Sequence, residues 1–173
     1  LALEGLVDDA LAEPGGDYYQ LAAATAPMLP LSERARYAEL AAGRGVLSSR
    51  AMVDLYSAVY EQDGTSSDAS ARAARLREAY VATDPATRVT AMRGLWGEGT
   101  VGFAGQILTA YAAARIPASA EQAGDAGELV ASMLTAGLDR DAAAWRGVVP
   151  EGSLAWALIA VSDPDGGSVA ENA

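Results

Sequence analysis

Trp96 and Glu98 are the two side chains whose types and spacing most invite chemistry. Glu98 stands in the glycine-rich run Gly97-Glu98-Gly99-Thr100-Val101-Gly102, two residues after the indole. A carboxyl group held against tryptophan loses solvation, and its pKa rises. Such a group can serve as a general acid while the ring stacks on a sugar. The same six residues spell G-x-G-x-x-G, a pattern in which backbone amides approach a pyrophosphate at a helix N-terminus. That use needs a strand before the loop. Here Asp84 and Pro85 open a helical pattern instead, with Val89, Met92 and Trp96 at helical spacing. The run therefore reads as an interhelical corner, and Trp96 has an alternative reading as core.

The remaining constellations have structural readings beside their chemical ones. Asp8-Asp9, Asp139/Asp141 and Asp163/Asp165 could supply paired carboxylates, as glycosidases require. Several of these acids stand at helix starts, where a negative side chain caps amides and complements the helix dipole. The stretch Asp163-Pro164-Asp165-Gly166-Gly167 hints at a calcium loop. It lacks the oxygen ligand, the glycine and the final glutamate that an EF-hand needs. Arg72, Arg75 and Arg77 could grip a carboxylate or phosphate, or pair with acids on a solvated face; Asp68 lies four residues before Arg72. Neither a metal nor a cofactor is expected.

What is missing narrows the chemistry further. The 173 residues contain no Cys and no His, and all 12 basic residues are Arg. This removes disulfides, thiolate and Ser-His-Asp nucleophiles, imidazole ligands, Schiff bases and the phosphate-binding lysine of nucleotide loops. Carboxylates, hydroxyls, guanidiniums and the backbone are what remain. A net charge of −11 repels phosphate backbones and anionic lipid, so nucleic acid is not an expected partner. The uncharged run from Gly99 to Ala114 is too short to span a bilayer. Leu1 opens in the middle of a helical pattern with no initiator Met, which reads as an excised domain or processed form. Heavy use of Ala, Arg and Gly without Lys suggests a GC-rich bacterial genome, with a periplasmic and a cytoplasmic location equally compatible.

The elements that must position these groups are helices. Alanine-rich composition with 6% aromatic residues favours closely packed helices, and strand-like stretches are hard to find. Helices are predicted at about Leu1 to Ala12, Tyr18 to Met28, Glu33 to Ala42 (capped by Ser32, closed by Gly43), from Ser48 or Ser49 onward, and Asp68 to Ala82. A restart follows at Asp84-Pro85, then a helix from Thr100 to Arg115. Ser119 with Gln122 and Asp125 with Glu128 read as capping boxes; Gly137, Asp139 and Gly152-Ser153 punctuate the last three helices. The expectation is an all-α fold: an irregular array of about ten short antiparallel helices, superhelix or bundle. It forms one domain over residues 1–162, followed by a flexible tail over 163–173.

The segment Ala136-Gly137-Leu138-Asp139-Arg140-Asp141-Ala142-Ala143 resembles the helix-turn-helix corner of tetratricopeptide-type repeats, with Ala42-Gly43 as a looser echo. The resemblance implies an α-helical superhelix that binds proteins or peptides. With few catalytic residues available, the expected function is a non-catalytic scaffold that buries a partner's apolar anchor between helices, with Arg and acids at the rim. A homo-oligomer is compatible with this. Two other readings stay open. One is a helical domain of a peptidoglycan-acting enzyme, similar in general look to the superhelices beside lytic transglycosylase domains, with Trp96 and Glu98 facing ligand. The other is a small-molecule-binding helical bundle with a cavity lined by Met, Leu and Tyr. Exposure of Tyr18-Tyr19, or of the surroundings of Trp145 and Trp156, would mark an interface.

Overall fold

The computed structural model describes residues 16–62, 67–97 and 99–163, and it is all-α. Among these residues are nine α-helices: α1 (Gly16–Thr25), α2 (Leu31–Gly43), α3 (Ser49–Gln62), α4 (Asp68–Val81), α5 (Pro85–Arg93), α6 (Gly99–Ala113), α7 (Ala126–Thr135), α8 (Asp139–Ala143) and α9 (Leu154–Ser162). Two 3₁₀ turns, Ala120–Asp125 and Ala144–Gly147, flank α7 and α8. The helix expected at Leu1 to Ala12 and the tail beyond Asp163 lie outside the described residues.

The helix ends follow local chemistry. Ser67, Asp84 and Ser153 cap α4, α5 and α9 by accepting the amides of Ser70, Thr87 and Trp156. Pro85 takes the first position of α5, where no amide is required. Helix α7 ends with Gly137 at φ 67°; the Leu138 amide donates to the Met133 carbonyl and the Gly137 amide to Leu134. Helix α2 ends the same way two residues later than expected. Gly45, not Gly43, takes the left-handed conformation, with Val46 bonded to Ala41 and Gly45 to Ala42. Ser32 is not the cap of α2, since the helix starts at Leu31 after Pro30. Neither Ser119 nor Asp125 makes a side-chain cap. The Asp125 carboxylate instead accepts both Arg93 Nε, at 2.6 Å, and the terminal guanidinium nitrogen, a charge-assisted fork stronger than a single amide bond.

Two apolar clusters form the core. One gathers Met52, Tyr56, Val59 and Leu76 with residues of α2; the other gathers Val89, Met92, Leu129, Met133, Trp145 and Ile159. Helix α6 belongs to both: Ile107 and Leu108 enter the first, Ala112 and Ala113 the second. It packs against α2, α3, α4, α5 and α7, so helices far apart in sequence meet on one central element. Such closeness needs small residues. A Cβ on Gly102 would lie 2.2 Å from the Gly97 carbonyl oxygen, and one on Gly105 would lie 2.4 Å from that of Leu95. The backbone from Leu95 to Gly97 thus rests directly on α6. The pattern read as G-x-G-x-x-G brings backbone against backbone at a corner between two helices.

Candidate functional site

Trp96, singled out from the sequence, is half-buried against the second apolar cluster. Its indole nitrogen donates to Thr109 Oγ1 at 2.9 Å, and that hydroxyl donates in turn to the Gly105 carbonyl at 2.9 Å. The indole's one donor is therefore satisfied within the fold. Glu98 lies outside the described residues, as do Asp8, Asp9 and Asp165. Trp145 is buried, Trp156 is partly buried, and Tyr18 and Tyr19 are 73% and 61% exposed, their rings 5.9 Å apart edge to face. Among the described residues, no group of three or more Asp and Glu could hold a metal ion, and no helix is long and apolar enough to cross a membrane.

The polar groups that do converge were not apparent in the sequence. Glu39 of α2 accepts hydrogen bonds from the Tyr56 hydroxyl of α3 and from Arg72 Nε of α4, the latter at 2.8 Å. A terminal nitrogen of Arg72 also donates to the Leu95 carbonyl at 3.3 Å. Arg72 thus bonds across to Glu39 and not back to Asp68, one turn earlier. Glu39 is mostly shielded from water, which makes the inward pair the stronger one. Burial of the Tyr56 hydroxyl and the adjacent Glu39 charge hold its pKa well above the ordinary tyrosine value, with Arg72 opposing in part. Burial lowers the pKa of Arg72, but Glu39 and Tyr56 together outweigh it and the net shift is upward. Sequence separations of 17 and 33 residues explain why no spacing rule found this unit.

Two cavities flank it. A cleft of about 400 Å³ opens between α2 and α4 with Tyr56 behind, lined by Ser32, Glu33, Arg36, Glu39, Ser67, Asp68 and Arg72. On its other side Tyr56 helps line a groove of about 250 Å³ between α3 and α4, with Val53, Tyr60, Leu76, Tyr80 and Val81. The groove's charged neighbours are Glu61 and Arg77, the latter lying 5.0 Å over the Tyr60 ring. Tyr80 is fixed by donating to the Leu108 carbonyl at 3.3 Å, and burial pushes its pKa up to about 12. Neither a family model, nor a curated protein, nor a solved structure matches the chain.

Proposed function

We propose that the chain is a non-catalytic helical binding module that holds a protein or peptide segment in the α3–α4 groove. The observation that carries this reading is the groove's make-up: aliphatic and aromatic walls, a width set by two packed helices, and one acid and one guanidinium beside it. Tyr60 and Val81 are exposed there although both are apolar, a pattern suited to a partner's aliphatic anchor. The rigid phenol rings supply contact area with few rotatable bonds to immobilise. A net charge of −11 favours a partner that is basic around that anchor.

Selection of peptides from a random displayed library against the purified chain tests this. The expected outcome is a pool sharing an aliphatic anchor with flanking basic residues. The affinity of that pool should fall at least about tenfold for Val81→Asp, which puts a charge where the anchor would sit. A pool that binds Val81→Asp and Tyr60→Ala as well as it binds the parent chain would overturn the reading. Both substitutions are at exposed positions, so the fold is retained and a loss of binding reports on the groove.

A further inference from the structure

We propose, resting on the groove reading above, that the segment held between α3 and α4 is proline-rich and binds as a polyproline II helix. The groove first limits how a partner's backbone can be satisfied. Both walls are helices, whose amides and carbonyls are spent on their own turns, and among the described residues there is no strand edge. A β-strand docked here would leave its row of amides and carbonyls without a ladder. The partner's backbone must bond to itself, as in an α-helix, or to water, as in polyproline II.

Size and register separate these two. One turn of an α-helix is about 10–12 Å across and about 5.4 Å tall, roughly 400–600 Å³. The groove holds about 250 Å³, so such a helix would stand mostly outside it. The groove is also bridged: the Arg77 guanidinium of α4 lies 5.0 Å over the Tyr60 ring of α3, a contact from one wall to the other. A polyproline II chain is slimmer. With three residues per turn and a rise of about 3.1 Å, its residues i and i+3 share an edge about 9.3 Å apart. Val53 and Tyr60 line the groove seven residues apart, about 10.5 Å along α3 at about 1.5 Å per residue, so one ligand edge reaches both. The lining suits proline rings. Three of the chain's seven tyrosines, Tyr56, Tyr60 and Tyr80, meet here. The hydroxyls of Tyr56 and Tyr80 donate to Glu39 and to the Leu108 carbonyl, which fixes those two rings; Tyr60 forms an exposed wall. A proline ring has no rotamers to lose and the polyproline II chain is already ordered, so flat fixed walls bind it at little entropic cost. The partner's basic residues, favoured by the net charge of −11, then flank the prolines outside the groove.

The test is an NMR titration of the whole ¹⁵N-labelled chain with two end-blocked peptides. One is Arg-Arg-Pro-Leu-Pro-Pro-Leu-Pro; the other has alanine for every proline, which keeps the leucines and the charge and permits an α-helix. The proline peptide should shift the amides of residues 53–61 and 73–81 saturably below about 1 mM, and the alanine peptide should bind at least about tenfold more weakly. Tyr60→Ala should weaken the proline peptide at least about tenfold, whereas Tyr60→Phe, which keeps the ring face, should stay within about threefold of the parent chain. The proposal is overturned if the proline peptide does not saturate, if the alanine peptide binds as well or better, or if Tyr60→Ala changes nothing. An alanine peptide that binds the parent chain but not Val81→Asp would overturn polyproline II recognition and leave the groove reading standing. A proline peptide that binds Tyr60→Ala and Val81→Asp as well as the parent chain would overturn both.

Discussion

A single methyl group separates alanine from glycine, and in a helix it is ordinarily worth up to about 1 kcal/mol of added stability. At Gly105 the methyl carbon would lie 2.4 Å from the backbone oxygen of Leu95, which no side-chain rotation can relieve. Gly105→Ala should therefore destabilise the chain by at least about 2 kcal/mol, the overpacking penalty exceeding the propensity gain. Gly127 of α7 provides the contrast, because a Cβ there would make an ordinary 3.5 Å contact with the Leu154 side chain. Gly127→Ala should stabilise by about 0.5–1 kcal/mol. Urea midpoints of the two variants check both; equal shifts of the same sign would contradict the close approach of Leu95 to α6. The sequence showed that Gly97 and Gly102 lie at a corner. It did not show that Gly102 touches backbone, because that contact depends on where the loop falls across the helix.

At the scale of the elements, Arg88 of α5 ties helix ends together. It is only 8% exposed, and its guanidinium donates to the Ala79 carbonyl at 2.9 Å, the Ala112 carbonyl at 3.2 Å and the Arg115 carbonyl at 3.4 Å. These oxygens belong to the last turns of α4 and α6 or just follow them, where carbonyls have no further helical turn to bond and the dipole is negative. Burial and the nearby Arg115 cation pull the Arg88 pKa below the usual arginine value, yet arginine keeps its charge. Replacement by Met, which removes every donor while keeping much of the apolar stem, should cost about 3–5 kcal/mol. Lys should recover only part of this, since one ammonium cannot match a three-way planar fork. Chemical denaturation of the two variants decides it; a Met variant as stable as the parent would show that these bonds contribute nothing. Local signals did place the helix starts at Asp68, Pro85 and Leu154, because a cap is written within four residues. Arg88, like Glu39 and Arg72, has partners that lie far along the chain, and its place in the helical pattern gave no sign that it is buried.

For the molecule as a whole, the absence of His and Cys leaves no side chain with an ordinary pKa between about 5 and 8. Stability should be nearly flat there and should fall on the alkaline side. Tyr56 and Tyr80 have pKa values raised above the ordinary 10.0, so above that value the unfolded chain releases these protons while the folded chain keeps them. Each tyrosine then removes up to about 1.4 kcal/mol per pH unit, from about pH 10 to about 12 for Tyr80 and beyond that for Tyr56. Denaturation midpoints from about pH 8 to about pH 11 check the slope, which Tyr80→Phe should make shallower. An unchanged slope in that variant would remove Tyr80 from the account. The all-α class was legible because alanine content, caps and short connections all point the same way. The central role of α6 was not, since the sequence patterns of its neighbours give no hint of which helices converge on it.

That central role has a consequence for how the chain is made. Helices α2 and α3 are complete once Gln62 has been synthesised, but Ile107 and Leu108, which finish their apolar cluster, come about 45 residues later. At about 5–20 residues per second, the first half of the protein waits roughly 2–9 s with Tyr37, Met52 and Leu55 lacking their final cover. The nascent chain is thus most open to chaperones and proteases in the interval before α6 emerges. A polypeptide truncated before Ile107 would remain in that condition permanently.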